Sequence, residues 1–218
     1  MQLNLFIFRL QDEPFFVFAW LLTVVISITL HELAHGYVAI RHGDHTPIHM
    51  GRMTGNPFVH MGGFSIFVLL MFGIAWGQMP VDSTRLRGKY AEAKVAVAGP
   101  ATNLLLATIA LTGLGLWFRF GTIGGSEVEG NAIQFMTIFG SANLMLMIFN
   151  LFPVPPLDGS HILANFHHGY ARFISDPSRQ PFFIFSFMLV FAVSGVLFGR
   201  VITWSADYVN WVATVFRT

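Results

Sequence analysis

The residues best suited to chemistry in this 218-residue chain are His31, Glu32 and His35, which form the pattern His-Glu-x-x-His. Residues four apart lie on one face of an α-helix, so both imidazoles can bind one metal ion. Glu32 lies about one helical step from His31, where its carboxylate can reach a water molecule on that metal. In a chain with nine His and five Glu, chance produces this pattern only about 0.008 times. The spacing therefore predicts a metal site of the kind that usually holds zinc.

Two histidines do not complete such a site, because a catalytic zinc usually takes three protein ligands and keeps one position for water. Asp158 is the best candidate for the third ligand. It follows a run of prolines after an apolar segment, and Gly159 lets the backbone turn close to another element. From spacing alone, Asp158 is either a metal ligand or a capping or interfacial carboxylate. The chain has no Cys, which excludes thiolate catalysis and Cys-based zinc sites.

The composition identifies the environment in which these residues must work. Hydrophobic residues make up 54% of the chain and charged residues 11%, whereas soluble domains average roughly 25% charged. The polar stretches are too short to form a soluble core, so we expect one membrane-embedded domain over residues 1–218, in contact with the lipid bilayer. A net charge of +1 argues against a nucleic-acid-binding protein. Packed histidines are the alternative to a metal site, but two His and a Glu are costly in a membrane unless paired, solvated or metal-bound.

The fold class predicted from these patterns is an all-α polytopic membrane protein with about four to five transmembrane helices. A short β-strand or re-entrant membrane-associated segment is expected after the first helix, because residues 41–62 are rich in Gly, His, Pro and Thr. Phe64–Met79 is apolar but has only 16 residues, below the usual spanning length. The tail, 201–216, is either an interfacial helix or the continuation of a long one. The expected spans are residues 14–40, 95–118, 132–152 and 182–198.

The metal site constrains the topology, because His31, His35 and Asp158 must lie at one depth. The two spans that carry them must run in the same direction, so an odd number of crossings separates them. Residues 95–118 supply one crossing, and the short segment 64–79 therefore should not span. The Lys and Arg residues agree, with eight on the side of loops 41–94 and 159–180 and four on the other side, Arg217 included. This asymmetry places the site toward the cytoplasmic side.

Three motifs together resemble one family. The motifs are His31–His35 in a first span, Gly99–Asn103 at the start of a second and Asn150–Gly159 at the end of a third. Their order, spacing and placement in the membrane resemble those of the motifs in the site-2 proteases. These are intramembrane zinc metalloproteases, and the resemblance covers about residues 14–165. The segment Gly51–His60 resembles the loop of the compact prokaryotic branch, which implies a prokaryotic cell membrane. No PDZ or CBS domain is evident in the sequence.

The resemblance implies roles for individual residues. His31, His35 and Asp158 would hold one Zn²⁺ per chain, and Glu32 would be the catalytic acid and base. Asn150 would contact the substrate backbone or an oxyanion, and His60 is the loop histidine expected closest to the zinc. The histidines outside the first span, His60 included, are otherwise expected to be solvated or interfacial side chains.

The function that the resemblance implies is the hydrolysis of peptide bonds within or near transmembrane segments of membrane protein substrates. Asn103 is either a helix-packing residue or a substrate contact, and the first interpretation is favoured. The Gly-rich segment 51–63 is a candidate edge for holding an unwound substrate by β-addition. Two alternatives remain open, a zinc transporter or sensor and a non-catalytic scaffold. The sequence leaves open whether the chain forms a homo-oligomer.

Overall fold

The computed structural model describes residues 5–121 and 124–215, in which the chain forms eight α-helices and three short 3-10 helices. The α-helices are α1 (Pro14–Arg41), α2 (Thr46–His49), α3 (Pro57–Phe72), α4 (Ala91–Phe120), α5 (Glu127–Asn150), α6 (Asp158–Phe166), α7 (His168–Ile174) and α8 (Gln180–Val215). The 3-10 helices are Phe6–Leu10, Ser83–Arg85 and Pro177–Arg179.

Four of these helices, α1, α4, α5 and α8, are long and apolar enough to cross a membrane. Each predicted span therefore falls on a long apolar helix, although the ends of the helices differ from the expected ones. Helix α1 begins with Pro14 in its first turn, as expected. Helix α5 begins earlier than predicted, because the Ser126 hydroxyl caps it by accepting a hydrogen bond from Glu129 N at 3.3 Å.

The expected short β-strand after the first helix is wrong, since no strand occurs in residues 5–121 or 124–215. The Pro and Asn residues of this segment start helices instead. Pro47 and Pro57 occupy the first turns of α2 and α3, and the Asn56 side chain accepts a hydrogen bond from Phe58 N at 3.0 Å. The proposed β-addition to residues 51–63 thus loses the strand on which it depended.

Helix α3 and the segment after it form a hairpin. Gly73, in the left-handed region with φ of 74°, ends the helix, and residues 74–82 (the return arm) run back in a non-helical conformation until the 3-10 helix. Gln78 N donates to His60 O at 3.0 Å, and the Ser65 hydroxyl bonds both N and O of Trp76. Because the arm comes back to the start of α3, the two ends of the segment 64–79 lie close together, which agrees with the prediction that this segment does not span.

Helix α4 is the centre of the bundle and packs against α1, α5, α6 and α8. Its contact with α8 includes Leu111, Leu114 and Val209. Gly115 permits the close approach, since a methyl group there would lie 2.7 Å from the Val212 side chain. Helix α4 also contacts both the helix that carries the histidines and the helix that precedes Asp158, and those two helices contact each other.

Helix α8 settles the alternatives for the tail. It continues without a break through 36 residues to Val215, about 54 Å at ~1.5 Å per residue. Four of its five buried residues are Val201, Ser205, Val209 and Val212, within the predicted tail. The tail is therefore the continuation of the fourth span. Phe216 and Arg217 lie outside the described residues.

Candidate metal centre

The structure brings the three predicted metal ligands together. His31 and His35 lie on one face of α1, both buried, with their Nε2 atoms 2.9 Å apart. Asp158, the first residue of α6, places Oδ2 3.2 Å from His31 Nε2 and Oδ1 3.4 Å from His35 Nε2. Such a set of two imidazoles and one carboxylate, closely grouped and largely shielded from solvent, is suited to a divalent cation.

Hydrogen bonds on the far side of each ring decide which nitrogen carries the proton. His35 Nδ1 lies 2.7 Å from the backbone carbonyl of Val95, which can only accept. His31 Nδ1 lies 2.5 Å from Oδ1 of Asn103, also an acceptor. Both Nδ1 atoms must therefore donate. In the neutral rings, the hydrogen-free Nε2 atoms face Asp158.

The resulting cluster fits a metal ion. Two Nε2 lone pairs and a carboxylate converge, and Asp158 Oδ2 has no hydrogen-bond donor in the described part of the chain. A cation among these acceptors removes their mutual repulsion. In tetrahedral zinc sites with Zn–N bonds of ~2.0–2.1 Å, neighbouring ligand atoms are about 3.3 Å apart. The two Nε2 atoms are 2.9 Å apart, and they lie 3.2 Å from Oδ2 and 3.4 Å from Oδ1 of Asp158, distances close to that spacing.

Two glycines make the cluster sterically feasible. Gly99 lies in α4 directly against the Nε2 atoms of both histidines, so a side chain there would occupy the space between them. Gly159 lies against the carbonyls of Leu151 and Phe152, and this contact lets α6 begin immediately after the turn that ends α5. The motifs Gly99–Asn103 and Asn150–Gly159 therefore bring backbone close to the metal ligands.

Glu32 lies beside the cluster but is not one of the three grouped ligands. Its side chain is buried and within electrostatic range of His31, His35 and Asp158. The return arm passes directly over it, since a methyl group on Gly77 would lie 2.6 Å from Glu32 Oε1. The carboxylate is thus held next to the metal site under a cover of extended backbone.

His60 and Asn150 have different surroundings. His60 is buried in α3, so the general expectation of solvated loop histidines does not hold for it. Its Nε2 donates to the Thr54 carbonyl at 2.7 Å, and its buried Nδ1 finds no hydrogen-bond partner among the described residues. His60 also lies within electrostatic range of Glu32. Asn150 ends α5 and donates to the carbonyl of Leu146 at 3.0 Å.

Asn103 does more than pack helices, because its carbonyl oxygen accepts a hydrogen bond from a predicted metal ligand. Its amide nitrogen donates to Asn143 in α5 at 2.8 Å. Sequence reasoning missed Asn143 and the position of the return arm. Asn143 could have been found in the sequence, because an Asn within an apolar span is costly unless it has a polar partner. Nothing in the local sequence of residues 74–82 predicts their contact with Glu32.

Comparison with known proteins agrees with this geometry. Residues 19–194 match peptidase family M50. A Bacillus subtilis protein named "Putative zinc metalloprotease YwhC" is 38% identical over 144 residues, which cover 65% of this chain and 66% of that protein. "Putative zinc metalloprotease Rip2" of Mycolicibacterium smegmatis is 27% identical over 194 residues, 84% of this chain and 71% of that protein.

An archaeal relative, "Putative zinc metalloprotease MJ0611" of Methanocaldococcus jannaschii, is 32% identical over 167 residues, 72% of this chain and 76% of that protein. No solved structure matches the chain. The region that matches the family extends over far more than half of the sequence and contains His31, Glu32, His35 and Asp158. The chain therefore belongs to peptidase family M50, the site-2 protease family of zinc metalloproteases.

Proposed function

We propose that this protein is an intramembrane zinc metalloprotease that hydrolyses peptide bonds within or near the transmembrane segments of membrane proteins. The observation that carries the proposal is the buried Glu32 carboxylate beside the His31–His35–Asp158 cluster, within a bundle of apolar helices. A zinc site that served only structure would have no use for that carboxylate. The names of the similar proteins support the same class of reaction.

His31, His35 and Asp158 would hold the zinc ion. When bound, zinc lowers the pKa of water and polarises a carbonyl group for attack. Glu32 takes a proton from the attacking water and then delivers it to the leaving amine nitrogen, which is general base followed by general acid catalysis. Burial under the return arm keeps Glu32 away from bulk solvent and close to the reacting atoms.

The substrate must present an accessible peptide bond, and a transmembrane helix hides its backbone in its own hydrogen bonds. Local unwinding of the substrate beside the return arm is therefore part of the proposal. His60 Nδ1, a buried acceptor, would accept a hydrogen bond from a substrate backbone N–H. Asn150 would contact the substrate backbone or a developing oxyanion.

The proposed setting is the cell membrane of a prokaryote, with the site toward the cytoplasmic side. Loops 41–94 and 159–180 carry eight of the twelve Lys and Arg residues, which supports this orientation. The partners are then membrane proteins with a transmembrane segment, and lipid surrounds the apolar helices.

The substitution Glu32→Gln tests the proposal. It keeps the shape of the side chain but removes the base, so the purified variant should keep its fold and its zinc. Its cleavage of a single-span membrane substrate should fall by about 10²- to 10⁴-fold. Glu127→Gln, at an exposed position at the start of α5, is the matched control and should cleave at the wild-type rate.

Asp158→Asn is the companion variant, because it weakens a ligand and should lower zinc content and cleavage together. Bound metal and cleavage rate are measured on the same preparations. Wild-type cleavage by Glu32→Gln would remove Glu32 as the base and with it the proposed mechanism. The protein would instead be a transporter if the wild type cleaves no substrate but moves zinc into vesicles, and if Glu32→Gln leaves that transport unchanged.

A further inference from the structure

Two asparagines lie fully buried within apolar spans, Asn103 in α4 and Asn143 in α5. Inside a membrane protein an amide group is costly unless its donors and acceptors are satisfied. Here the two side chains bond each other, with Asn103 Nδ2 donating to Asn143 Oδ1 at 2.8 Å. They connect a predicted metal ligand to a helix that contributes no ligand of its own.

The Phe139 carbonyl determines the direction of each hydrogen bond in the series that runs through Asn143 and Asn103 to His31. The backbone carbonyl of Phe139 can only accept, so the group of Asn143 that faces it at 2.8 Å must be the amide nitrogen. Asn143 Oδ1 therefore faces Asn103, whose amide nitrogen donates to it. Rotating either side-chain amide by 180° would place two oxygens against each other. Asn103 Oδ1 is then left to accept from His31 Nδ1.

The direction of these hydrogen bonds determines the tautomer of His31. With Asn103 presenting an oxygen, His31 Nδ1 must carry a hydrogen, and the neutral ring has Nε2 free for the metal. Without Asn143, the Asn103 amide has no fixed partner on its other side. It can then turn its nitrogen toward His31 and favour the tautomer that cannot bind metal through Nε2.

We propose that Asn143 is a positioning residue for the zinc site, acting through Asn103 to hold His31 in its metal-binding tautomer. This inference rests on the proposed function only in that it requires His31 to bind zinc. It also gives α5 a second link to the site, since the turn after α5 delivers Asp158. Histidine ligands whose outer hydrogen-bond partner is removed typically lose about 10- to 100-fold in metal affinity or activity.

Three substitutions at position 143 separate this role from packing. Asn143→Leu removes the acceptor for Asn103, and the zinc dissociation constant should rise by about 10- to 100-fold. Asn143→Thr leaves no oxygen as far out as Asn143 Oδ1, while its hydroxyl can bond Phe139 O as Thr137 bonds Ile133 O in the same helix at 2.8 Å. Asn143→Asp, which burial in an apolar span keeps neutral, donates its hydroxyl to Phe139 O, still presents an oxygen to Asn103 and should bind zinc within about threefold of the wild type.

The matched control is Thr112→Val, which removes the 2.8 Å hydrogen bond between Thr112 in α4 and Tyr208 in α8. This hydrogen bond lies away from the metal ligands. Zinc dissociation constants are measured by chelator competition on purified protein, together with the Co²⁺ ligand-field absorption and the unfolding temperature. We expect the Leu and Thr variants to alter affinity and the Co²⁺ spectrum, and the Asp and control variants to leave both near wild type.

Folded Asn143→Thr and Asn143→Leu proteins with wild-type zinc affinity and Co²⁺ spectrum would overturn the inference. Equal losses in Asn143→Asp and Asn143→Leu would also overturn it, because the fixed acceptor would then not matter. If the wild-type protein binds no zinc, the proposed function fails instead, and the two failures are therefore distinguishable. Asn143→Thr serves if Asn143→Leu does not fold, since threonine hydroxyls are already tolerated in α5.

Discussion

At the scale of single residues, the site is a group of acceptors organised by their outer hydrogen bonds. His31 and His35 each use Nδ1 to donate, to Asn103 and to the Val95 carbonyl. Their Nε2 atoms and the Asp158 carboxylate then converge without a donor between them. The same logic applies to His60, whose bond to the Thr54 carbonyl leaves a buried Nδ1 lone pair without a partner in the described residues.

Metal content should follow the ligand residues. Wild-type protein should carry about one zinc per chain, and His31→Ala or His35→Ala should lose most of it, because two ligands cannot replace the three of a catalytic site. Metal analysis of purified, folded protein measures this. His42→Ala, at a histidine that bonds the Arg87 carbonyl instead, is the control and should keep its zinc. Unchanged zinc in both ligand variants would rule out the assigned metal site.

The two nitrogens of His60 can be tested separately. His60→Gln can still donate to the Thr54 carbonyl but lacks the Nδ1 acceptor, so kcat/KM should fall by about 3- to 10-fold at unchanged stability. His60→Asn keeps an acceptor near the Nδ1 position and loses the bond to Thr54, so it should lose stability by about 1 kcal/mol while retaining more activity per folded molecule. Equal activity of the Gln variant and the wild type would show that Nδ1 has no role in cleavage.

At the scale of elements, the return arm is the feature that links the fold to Glu32. It is fixed by Ser65 at Trp76, by His60 at Gln78 and by the buried Asp44 at its end. Burial favours the neutral form of Asp44, but hydrogen bonds from Thr46 and Asp82 outweigh it and hold the pKa of this carboxyl below its usual value. The ionised carboxylate therefore anchors the arm at neutral pH.

Gly77→Ala tests the contact between the arm and Glu32. The added methyl group would lie 2.6 Å from Oε1 and 2.7 Å from Cγ of Glu32, so the arm or the carboxylate must move. Misplacement of a catalytic group by about 1 Å can cost about 100-fold, and we expect cleavage to fall by that order at unchanged zinc content. Gly55→Ala is the control, since nothing lies within 4 Å of a methyl group there. Wild-type cleavage by Gly77→Ala would contradict the close contact.

At the scale of the whole molecule, one metal site joins residues from opposite parts of the chain. The first span supplies two ligands, the second orients them, and the turn after the third supplies the carboxylate. This requires α1 and α5 to run in the same direction with α4 between them, and it requires the hairpin of α3 and the return arm to stay on one side.

Cysteine labelling tests this topology cleanly, because the native chain has no Cys. Single cysteines at Gly55 and Ser83, both exposed, should react with a membrane-impermeant reagent from the same side, the cytoplasmic one. A cysteine at the exposed Glu127 should react from the opposite side, because α4 lies between. The cysteine-free parent chain controls for background, and labelling in detergent controls for reactivity. Labelling of positions 55 and 83 from opposite sides would mean that the α3 hairpin crosses the membrane.

Local sequence was sufficient for several of these features, for identifiable reasons. Composition indicated a membrane protein, helical spacing placed His31 and His35 on one face, and the prolines before Asp158 indicated the end of a span. Counting crossings between the ligands predicts that residues 64–79 do not span, and the hairpin that forms there agrees with this prediction. The strand expected within residues 41–62 was wrong, because a strand needs a partner to which it can bond, and Pro and Asn there start helices.

Tertiary structure alone decided how the site is oriented and covered. His31 and Asn103 are 72 residues apart, and Asn103 and Asn143 are 40 apart. No local pattern says that these three side chains bond in one order. The contact of Gly77 with Glu32 likewise depends on how the hairpin folds back over α1. Sequence spacing determines which residues share a helix face, whereas the packing of distant helices determines which faces meet. Sequence spacing was therefore enough to predict the metal ligands. The tautomers of the histidines and the position of the return arm over Glu32 depend on how distant helices pack.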